Sequence, residues 1–219
     1  MTSVLLVDDQ ALVRAGFRSI LEQQPDLHVA GAATDGREVV RLAREMRPDL
    51  VRIDIRMPNV DGLSATRMLM ADPEPPRVVV LTTFDADGYV YEALRAGATG
   101  FLLKDITPEQ LVAACRTAVS GEAMLSPTIT RRLIESFIAA PSPPGKDLPE
   151  TLRGLTEREV DVLREVATGA TNAEISKRLH LAETTVKTHL ARVFVKLGVR
   201  DRVQAVVLAY ECGLVRPTA

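Results

Sequence analysis

The sequence predicts an α/β domain with a doubly wound, five-stranded parallel sheet, followed by a small all-α domain. Three observations support this fold class. Short apolar segments alternate with helical periodicity in the first half of the chain, strand-like segments are missing from the last third, and a proline-rich stretch separates the two parts. A chain of 219 residues is also more typical of two domains than of one.

Five short apolar segments, rich in leucine and β-branched residues, have the composition of strands buried on both faces. They occupy residues 4–7, 27–32, 50–53, 78–82 and 100–103. Segments with apolar residues at helical spacing follow each of them, at residues 11–24, 36–46, 63–71, 87–96 and 107–120. Because strands and helices alternate, we expect parallel strands with helices on both faces of the sheet.

A linker is predicted at residues 141–149, where four prolines and a glycine occur within nine residues. A short helix is expected before it at 128–140, and after it the predicted helices are 156–168, 172–179, 184–197 and 201–212. We therefore divide the chain into a first domain at 1–122, a linker helix with a proline-rich linker at 123–149, and a second domain at 150–219.

Composition and charge favour a cytoplasmic protein with two partners of different charge. No apolar run reaches the length of a membrane span and no basic signal region is present, so neither membrane insertion nor export is expected. Two distant cysteines and three histidines are too few for a disulfide framework or a zinc site. The formal net charge is −2, yet residues 176–202 contain seven basic residues against two acidic ones, which indicates a locally basic second domain.

Carboxylates end two of the predicted strands. Asp8 and Asp9 follow the first strand, and Asp54 follows the third. If these strands are neighbours, the three acids converge at the carboxyl edge of the sheet, where function collects in this fold class. Carboxylates that lie so close together raise one another's pKa, so the arrangement favours a hard divalent cation such as Mg²⁺. Asp8 taken alone is equally consistent with a helix N-cap.

A hydroxyl and an ammonium group end two further strands. Thr82 ends the fourth predicted strand and Lys104 follows the fifth. A cation, a hydroxyl and a metal around one carboxylate suit a phosphate group, and a carboxylate can attack phosphorus to give an acyl phosphate. Each residue alone is more typical of a structural or surface position, so the prediction depends on all of these strand ends together.

These strand ends resemble the receiver domain of bacterial response regulators over roughly residues 2–120. The motifs are Val7-Asp8-Asp9, Asp54-Ile55-Arg56-Met57-Pro58 with Asp61-Gly62, Leu81-Thr82-Thr83 and Leu103-Lys104. The resemblance implies a flavodoxin-like fold, a sensor histidine kinase as partner, and Asp54 as the phosphoacceptor. It implies Mg²⁺ held by Asp9, Asp54 and the backbone carbonyl of Arg56, with Asp8 acting through water. It also implies phosphoryl contacts from Thr82 and Lys104 and an aromatic switch residue at Phe101.

Three positions depart from the receiver pattern. Asp105 stands where many receivers have proline, so a cis peptide after Lys104 cannot be assumed. Phe101 lacks the hydroxyl of a tyrosine, so its switch would work by packing alone. Arg52 lies inside the third predicted strand, where its burial is costly unless it is paired. It is expected either to extend toward an edge of the sheet or to bond to an acid, and in the second case it could compete with Mg²⁺.

Residues 172–197 have the pattern of two helices with a tight break at 180–182. Apolar residues at helical spacing form an inward face: Ile175, Leu179, Val186, Leu190, Val193 and Leu197. The rest of the helix at 184–197 carries small, polar and basic residues, which suits the major groove of DNA. A basic helix is also commonly a solvated surface, and a helix-turn-helix can mediate protein contacts.

The flanking sequence resembles the NarL/LuxR-type DNA-binding domain over about residues 150–215. The motifs are Leu155-Thr156-Glu157-Arg158-Glu159-Val160, Asn172-Ala173-Glu174-Ile175, Thr185-Val186-Lys187-Thr188-His189 and Lys196-Leu197-Gly198-Val199. The resemblance implies that residues 184–197 form the recognition helix and bind promoter DNA. It implies base contacts from Lys187 and Thr188. The other DNA-contacting residues that it implies are Lys177, Arg178, Thr184, Arg192 and Lys196.

Short motifs in the second domain predict how its helices begin and which of them could pair two copies of the chain. Thr156 and Glu159 predict a capping box at its first helix. Ala182 stands where Ser or Thr usually caps the recognition helix, which removes about 1 kcal/mol of capping unless Thr184 caps it one turn later. The apolar stripe of the last helix is usually core, but in this family part of it pairs two copies, so we expect a homodimer on activation.

Together the resemblances imply a response regulator, not an enzyme, in which phosphorylation of Asp54 controls promoter binding by the helix-turn-helix domain. One alternative is a regulator whose receiver is not phosphorylated, for which Arg52 is the only support. The other is a Mg²⁺-dependent phosphohydrolase with an aspartyl-phosphate intermediate. Such enzymes need Asp-x-Asp after a strand, and neither Asp8-Asp9-Gln10 nor Asp54-Ile55-Arg56 supplies it.

Overall fold

The computed structural model describes residues 1–82, 89–120, 124–125 and 150–215. The chain divides into two compact units, Met1–Arg132 and Leu133–Ala219, here called the first and second units. The helix expected at 128–140 and the linker expected at 141–149 lie outside the described residues. Among the helices that are described, none combines the length and apolar character needed to cross a bilayer.

The first unit contains a parallel six-stranded sheet in the order β2-β1-β3-β4-β5-β6. Its strands are β1 (Thr2–Val7), β2 (Leu27–Ala33), β3 (Leu50–Asp54), β4 (Arg77–Thr82), β5 (Gly100–Leu103) and β6 (Met124–Leu125). The predicted doubly wound α/β fold is confirmed. The sixth strand is an addition, because two residues at the edge of a sheet are too short to show a period-two pattern.

The helices of the first unit are α1 (Ala11–Glu22), α2 (Gly36–Met46), α3 (Gly62–Met70), α4 (Tyr89–Arg95) and α5 (Pro108–Val119). Their starts follow from local capping. The Asp35 and Asp61 carboxylates accept backbone N–H groups at the starts of α2 and α3, and Thr107 forms a capping box with Gln110 at α5. Helices α1 and α5 share one apolar core with alternate residues of β1 and β4. These two helices therefore cover one face of the sheet whose carboxyl edge carries the acids.

The second unit is all-helical within the described residues. A 3₁₀ turn (Glu150–Leu152) precedes α6 (Glu157–Ala167), α7 (Asn172–Leu179), α8 (Glu183–Leu197) and α9 (Arg202–Glu211). The predicted capping box of Thr156 and Glu159 is confirmed at the start of α6. His180 ends α7 in the left-handed conformation, with φ of 52°, and this produces the tight break before α8.

Helix α8 begins one residue earlier than the sequence predicts. Its N-cap is Ala182, which makes no side-chain capping hydrogen bond, so the predicted loss of a cap is confirmed. Thr184 lies inside the first turn, and its carbonyl accepts the hydroxyl of Thr188 at 3.0 Å. The alternative that Thr184 caps the helix was wrong, because Ala182 already has the extended backbone of an N-cap.

Candidate functional site

The three acids converge at the carboxyl edge of the sheet. Strand β1 pairs with β3, with Val7 opposite Ile53, so the residues that follow these two positions are neighbours. One carboxylate oxygen from each of Asp8, Asp9 and Asp54 lies within 4.8 Å of the other two. Asp8 and Asp54 are buried, whereas Asp9 is exposed. The predicted meeting of the strand ends is confirmed, and it creates a dense negative charge with one member open to solvent.

Lys104 bridges two of these carboxylates. Its Nζ lies 2.8 Å from Oδ2 of Asp54 and 3.0 Å from Oδ2 of Asp8. The Lys104 backbone N–H donates to the carbonyl of Thr82 at 2.7 Å, which holds the ends of β5 and β4 together. Burial raises the pKa of Asp54, and the hydrogen bond from Lys104 acts in the opposite direction. Lys104 therefore favours the ionised form of a carboxylate that burial disfavours.

Asp8 is not the N-cap of α1. That position belongs to Gln10, whose backbone N–H donates to Oδ1 of Asp8 at 3.0 Å. Oδ2 of Asp8 is buried and makes no hydrogen bond with any described residue, although Lys104 is close. Arg14, one turn into α1, donates from Nη1 to the Asp8 carbonyl at 2.6 Å. The sequence analysis missed Arg14, because Asp8 lies outside α1 and no periodic pattern connects the two residues.

A glycine allows the loop after Asp54 to approach α3. The Gly62 N–H donates to the carbonyl of Ile55 at 2.9 Å. A Cβ atom at position 62 would lie 2.1 Å from the carbonyl oxygen of Asp54, far inside van der Waals contact. A side chain here would displace the Asp54 backbone. The absence of a side chain at Gly62 thus allows the backbone position of Asp54. A cleft lined by residues that include Asp9 and Arg56 opens beside the acid cluster.

Arg52 is buried in β3 with its guanidinium against Asp8. Only 1% of its surface is exposed, and Nη2 lies 3.7 Å from Oδ2 of Asp8. Its Cζ lies 3.5 Å from the centre of the Phe17 ring. Burial lowers the pKa of Arg52 to about 10, and the Asp8 charge counters that shift. Of the two expected arrangements, extension toward a sheet edge was wrong and approach to an acid is observed.

Thr82, Phe101, Lys104 and Arg56 are the remaining positions of the first unit for which the sequence makes a prediction. Thr82 ends β4 and is buried, and Phe101 in β5 is fully buried. The Lys104–Asp105 peptide is trans. Arg56 is exposed in the loop after β3, and its backbone hydrogen bond to Asp54 opposes the rise in the pKa of that carboxyl that burial causes. Thr83, the last residue of one predicted motif, lies outside the described residues.

In the second unit, α8 has the amphipathic distribution that the sequence predicts. Val186, Leu190 and Val193 are buried. The opposite side is exposed and carries Thr184, Lys187, Thr188, Ala191, Arg192 and Val195. This surface combines short side chains with two basic groups, as close approach to a nucleic acid backbone or base edge requires. It is the candidate nucleic-acid interface.

The five predicted basic contacts divide into two groups. Lys177, Lys187 and Arg192 are exposed and form no ion pair with any other described residue. Arg178 and Lys196 instead bind glutamates of α6: Nη1 of Arg178 lies 2.6 Å from Oε2 of Glu165, and Nζ of Lys196 lies 2.6 Å from Oε2 of Glu159. These two ion pairs fasten α7 and α8 to α6, a structural role that the sequence pattern did not reveal.

Two other arginines of the second unit donate hydrogen bonds to backbone carbonyl groups of the same unit. Arg158 in α6 donates to the carbonyl of Leu179, at the end of α7. Arg202, at the start of α9, donates to the carbonyl of Ala170 and to the side chain of Asn172. Both link segments distant in the chain. Part of the basic charge counted in the sequence therefore stabilises the packing of the second unit.

Both halves of the chain match known families. Residues 4–116 match the response regulator receiver domain, and residues 153–209 match the luxR family of bacterial regulatory proteins. The uncharacterized transcriptional regulatory protein YxjL of Bacillus subtilis (strain 168) is 41% identical over 214 residues, or 97% of both chains. The transcriptional regulatory protein LiaR of the same organism is 39% identical over 216 residues, or 98% of this chain and 100% of LiaR.

A solved structure has the same organisation. The response regulator ChrA, from a heme-sensing two-component system, is 34% identical in sequence and gives a TM-score of 0.53. The match covers 97% of this chain and 98% of ChrA. It therefore extends over both units.

Proposed function

The chain belongs to the response regulators that join a receiver domain to a LuxR-type DNA-binding domain, and on this basis we propose that Asp54 is its phosphoacceptor. The phosphoryl donor is a sensor histidine kinase. Phosphorylation biases a pre-existing equilibrium of the receiver and thereby controls promoter binding by a homodimer. The chain is a DNA-binding transcriptional regulator, and phosphoryl acceptance is the chemical step of its control.

The observation that carries this proposal is the position of Asp54 in the acid cluster. Its Oδ2 accepts a hydrogen bond from Lys104 at 2.8 Å, and carboxylate oxygens of Asp8 and Asp9 lie within 4.8 Å. A carboxylate whose ionised form is favoured by a neighbouring ammonium group can act as a nucleophile toward phosphorus. Of the three acids, only Asp54 combines burial, the end of a central strand and the hydrogen bond from Lys104.

The acid cluster fits Mg²⁺. Its three carboxylates supply the hard oxygen ligands that this ion prefers, and Oδ2 of Asp8 is a buried charge without a hydrogen bond from a described residue. Asp9, Asp54 and the backbone carbonyl of Arg56 would hold the ion, with Asp8 acting through water. Bound Mg²⁺ supplies positive charge that offsets the repulsion between a carboxylate and a phosphate group.

The side chains divide the work of transfer. An Asp54 carboxylate oxygen forms the new O–P bond while the bond from phosphorus to the histidine nitrogen of the donor breaks, and that nitrogen keeps the electron pair. Lys104 binds one phosphoryl oxygen, and the Thr82 hydroxyl binds another. When Thr82 moves toward the phosphoryl group, the buried Phe101 ring repacks, and because it has no hydroxyl its response is by packing alone.

Labelling with acetyl phosphate and Mg²⁺ tests the phosphoacceptor. Asp54→Asn is expected to abolish incorporation of phosphate, whereas Asp26→Asn, which removes an exposed carboxylate paired with Arg116, leaves it intact. Binding of the full chain to a promoter fragment, with and without acetyl phosphate, tests the coupling. Undiminished labelling of the Asp54→Asn variant would reject the proposal.

A second candidate is a regulator that works without phosphorylation. The observation that favours it is Arg52, whose guanidinium already lies beside Asp8 within the acid cluster. Under this alternative, the chain neither binds Mg²⁺ nor incorporates phosphate, and promoter binding does not respond to acetyl phosphate. The same labelling and binding experiment therefore separates the two candidates.

A further inference from the structure

Arg52 is a buried charge that the chemistry of phosphoryl acceptance does not use. All five residues of β3 are buried, and Arg52 is among the largest side chains that are fully enclosed. Its Nε, Nη1 and Nη2 atoms make no hydrogen bond with any described residue. A buried guanidinium without hydrogen bonds is costly, so its position needs a compensating interaction.

Two neighbours provide that compensation. The Phe17 ring of α1 stacks on the guanidinium at 3.5 Å, within the range of a cation–π contact. On another side, Nη2 lies 3.7 Å from Oδ2 of Asp8. The aromatic contact gives the guanidinium no hydrogen bond. Among the described residues, the Asp8 carboxylate is the only opposite charge within 4 Å of the guanidinium nitrogens. The packing of Phe17 therefore holds a positive charge against the acid cluster.

The charge balance of the cluster changes accordingly. Asp8, Asp9 and Asp54 carry three formal negative charges, and Lys104 alone would leave a net charge of −2. With Arg52 beside Asp8, the net charge is −1. Since Asp8, Asp54 and Arg52 are buried, the attraction between this cluster and a cation is screened less than at the protein surface. A divalent ion meets about half of the net charge that it would meet without Arg52.

We propose that Arg52 is a positioning residue that partly neutralises Asp8 from inside the sheet and thereby weakens Mg²⁺ binding at the acid cluster. This inference rests on the proposed function, because it takes the cluster as the metal site. It implies that phosphoryl acceptance by this chain requires a higher Mg²⁺ concentration than the three carboxylates would require without Arg52.

Calorimetric titration of the full chain with MgCl₂ tests the inference directly and without any activity readout. Arg52→Met, which removes the charge and keeps a long side chain against Phe17, is expected to lower the Kd for Mg²⁺ at least about tenfold. A tenfold change in Kd corresponds to about 1.4 kcal/mol. This is less than the interaction energy of two unit charges that lie a few ångströms apart in a partly buried site. Arg52→Lys keeps the charge and is expected to stay within about threefold of the unsubstituted protein.

Arg116→Met is the matched control. It removes one arginine of the first unit whose partner is Asp26, away from the acid cluster, and is expected to leave the Kd unchanged. Arg52→Leu, the aliphatic residue typical of a buried strand, gives an independent variant if the methionine variant does not fold.

The outcomes separate the inference from the proposed function. If the unsubstituted protein binds Mg²⁺ and the Arg52→Met and Arg52→Leu variants bind it equally or more weakly, the inference is overturned while the metal site stands. If neither the unsubstituted protein nor the variants bind Mg²⁺, the metal site fails and the inference fails with it. Tighter binding in the Arg116→Met control to the same degree would show a general charge effect and would also overturn the inference.

Discussion

The ammonium group of Lys196, near the end of α8, lies 2.6 Å from Oε2 of Glu159 in the first turn of α6. The same carboxylate oxygen accepts the backbone N–H of Thr156 at 2.8 Å, so one buried group serves both a capping box and an ion pair between helices. The hydrogen bond from Lys196, followed by that from Thr156, lowers the pKa of Glu159 to about 2. An ionised Glu159 thus helps to stabilise the candidate recognition helix on α6.

We predict that Glu159→Gln destabilises the second unit by about 1 kcal/mol at neutral pH, because the charged hydrogen bond with the partly exposed ammonium group of Lys196 is lost while the capping geometry can remain. Thermal unfolding of the full chain, followed by calorimetry, measures the difference from the unsubstituted protein. Glu157→Gln, an exposed glutamate of the same helical turn, is the control and is expected to change little.

We also predict that the stability difference between the unsubstituted protein and Glu159→Gln depends on pH. The pKa of Glu159 is depressed in the folded state from 4.5 to about 2, so its contribution to stability is fully present above pH 4.5 and is lost as the pH falls through about 2. The stability difference between the unsubstituted protein and Glu159→Gln should therefore shrink steadily between these values. A difference that is constant from pH 6 to pH 2.5 would contradict the assigned role of the ion pair.

Ala182→Ser should stabilise the second unit by about 1 kcal/mol. The N-cap of α8 has no side-chain hydrogen bond, and its extended backbone is the one in which a serine hydroxyl accepts an N–H of the first turn. For a domain of this size, the gain corresponds to a rise in Tm of about 4–8 °C. Ala191→Ser, an exposed position inside the same helix, is expected to give no rise, and equal effects of the two changes would argue against capping as the cause.

Lys187→Ala should weaken binding to a promoter fragment by about 1–3 kcal/mol, since Lys187 is exposed on α8 and forms no ion pair with another described residue. If Lys187 contacts a phosphate, the dependence of log Kd on log salt concentration also falls by about one. Arg164→Ala removes an exposed arginine of α6 and is the control. Retained affinity and salt dependence in Lys187→Ala would remove α8 from the DNA interface, and titration by fluorescence anisotropy measures both.

Hydrophobic patterning was sufficient to predict the first five strands, and the carboxyl ends of parallel strands lie at the same edge of a sheet. For this reason the acids at positions 8, 9 and 54 could be brought together from the sequence. The capping box of Thr156 and Glu159 was equally predictable, because its partners are three residues apart and their geometry is local. Such patterns can be predicted because they follow from the regular repeat of residues along a strand or helix.

The partners of the long charged side chains were decided by the tertiary structure alone. The sequence left Arg52 with two possible arrangements, and it was the packing of Phe17 beside β3 that directs its guanidinium toward Asp8. For Lys196, which the sequence predicts as a DNA contact, only the tertiary structure shows that Glu159 of α6 lies 2.6 Å from its ammonium group. A side chain with four rotatable bonds can reach many positions, so its partner depends on which helices and strands surround it and not on its place in a periodic pattern.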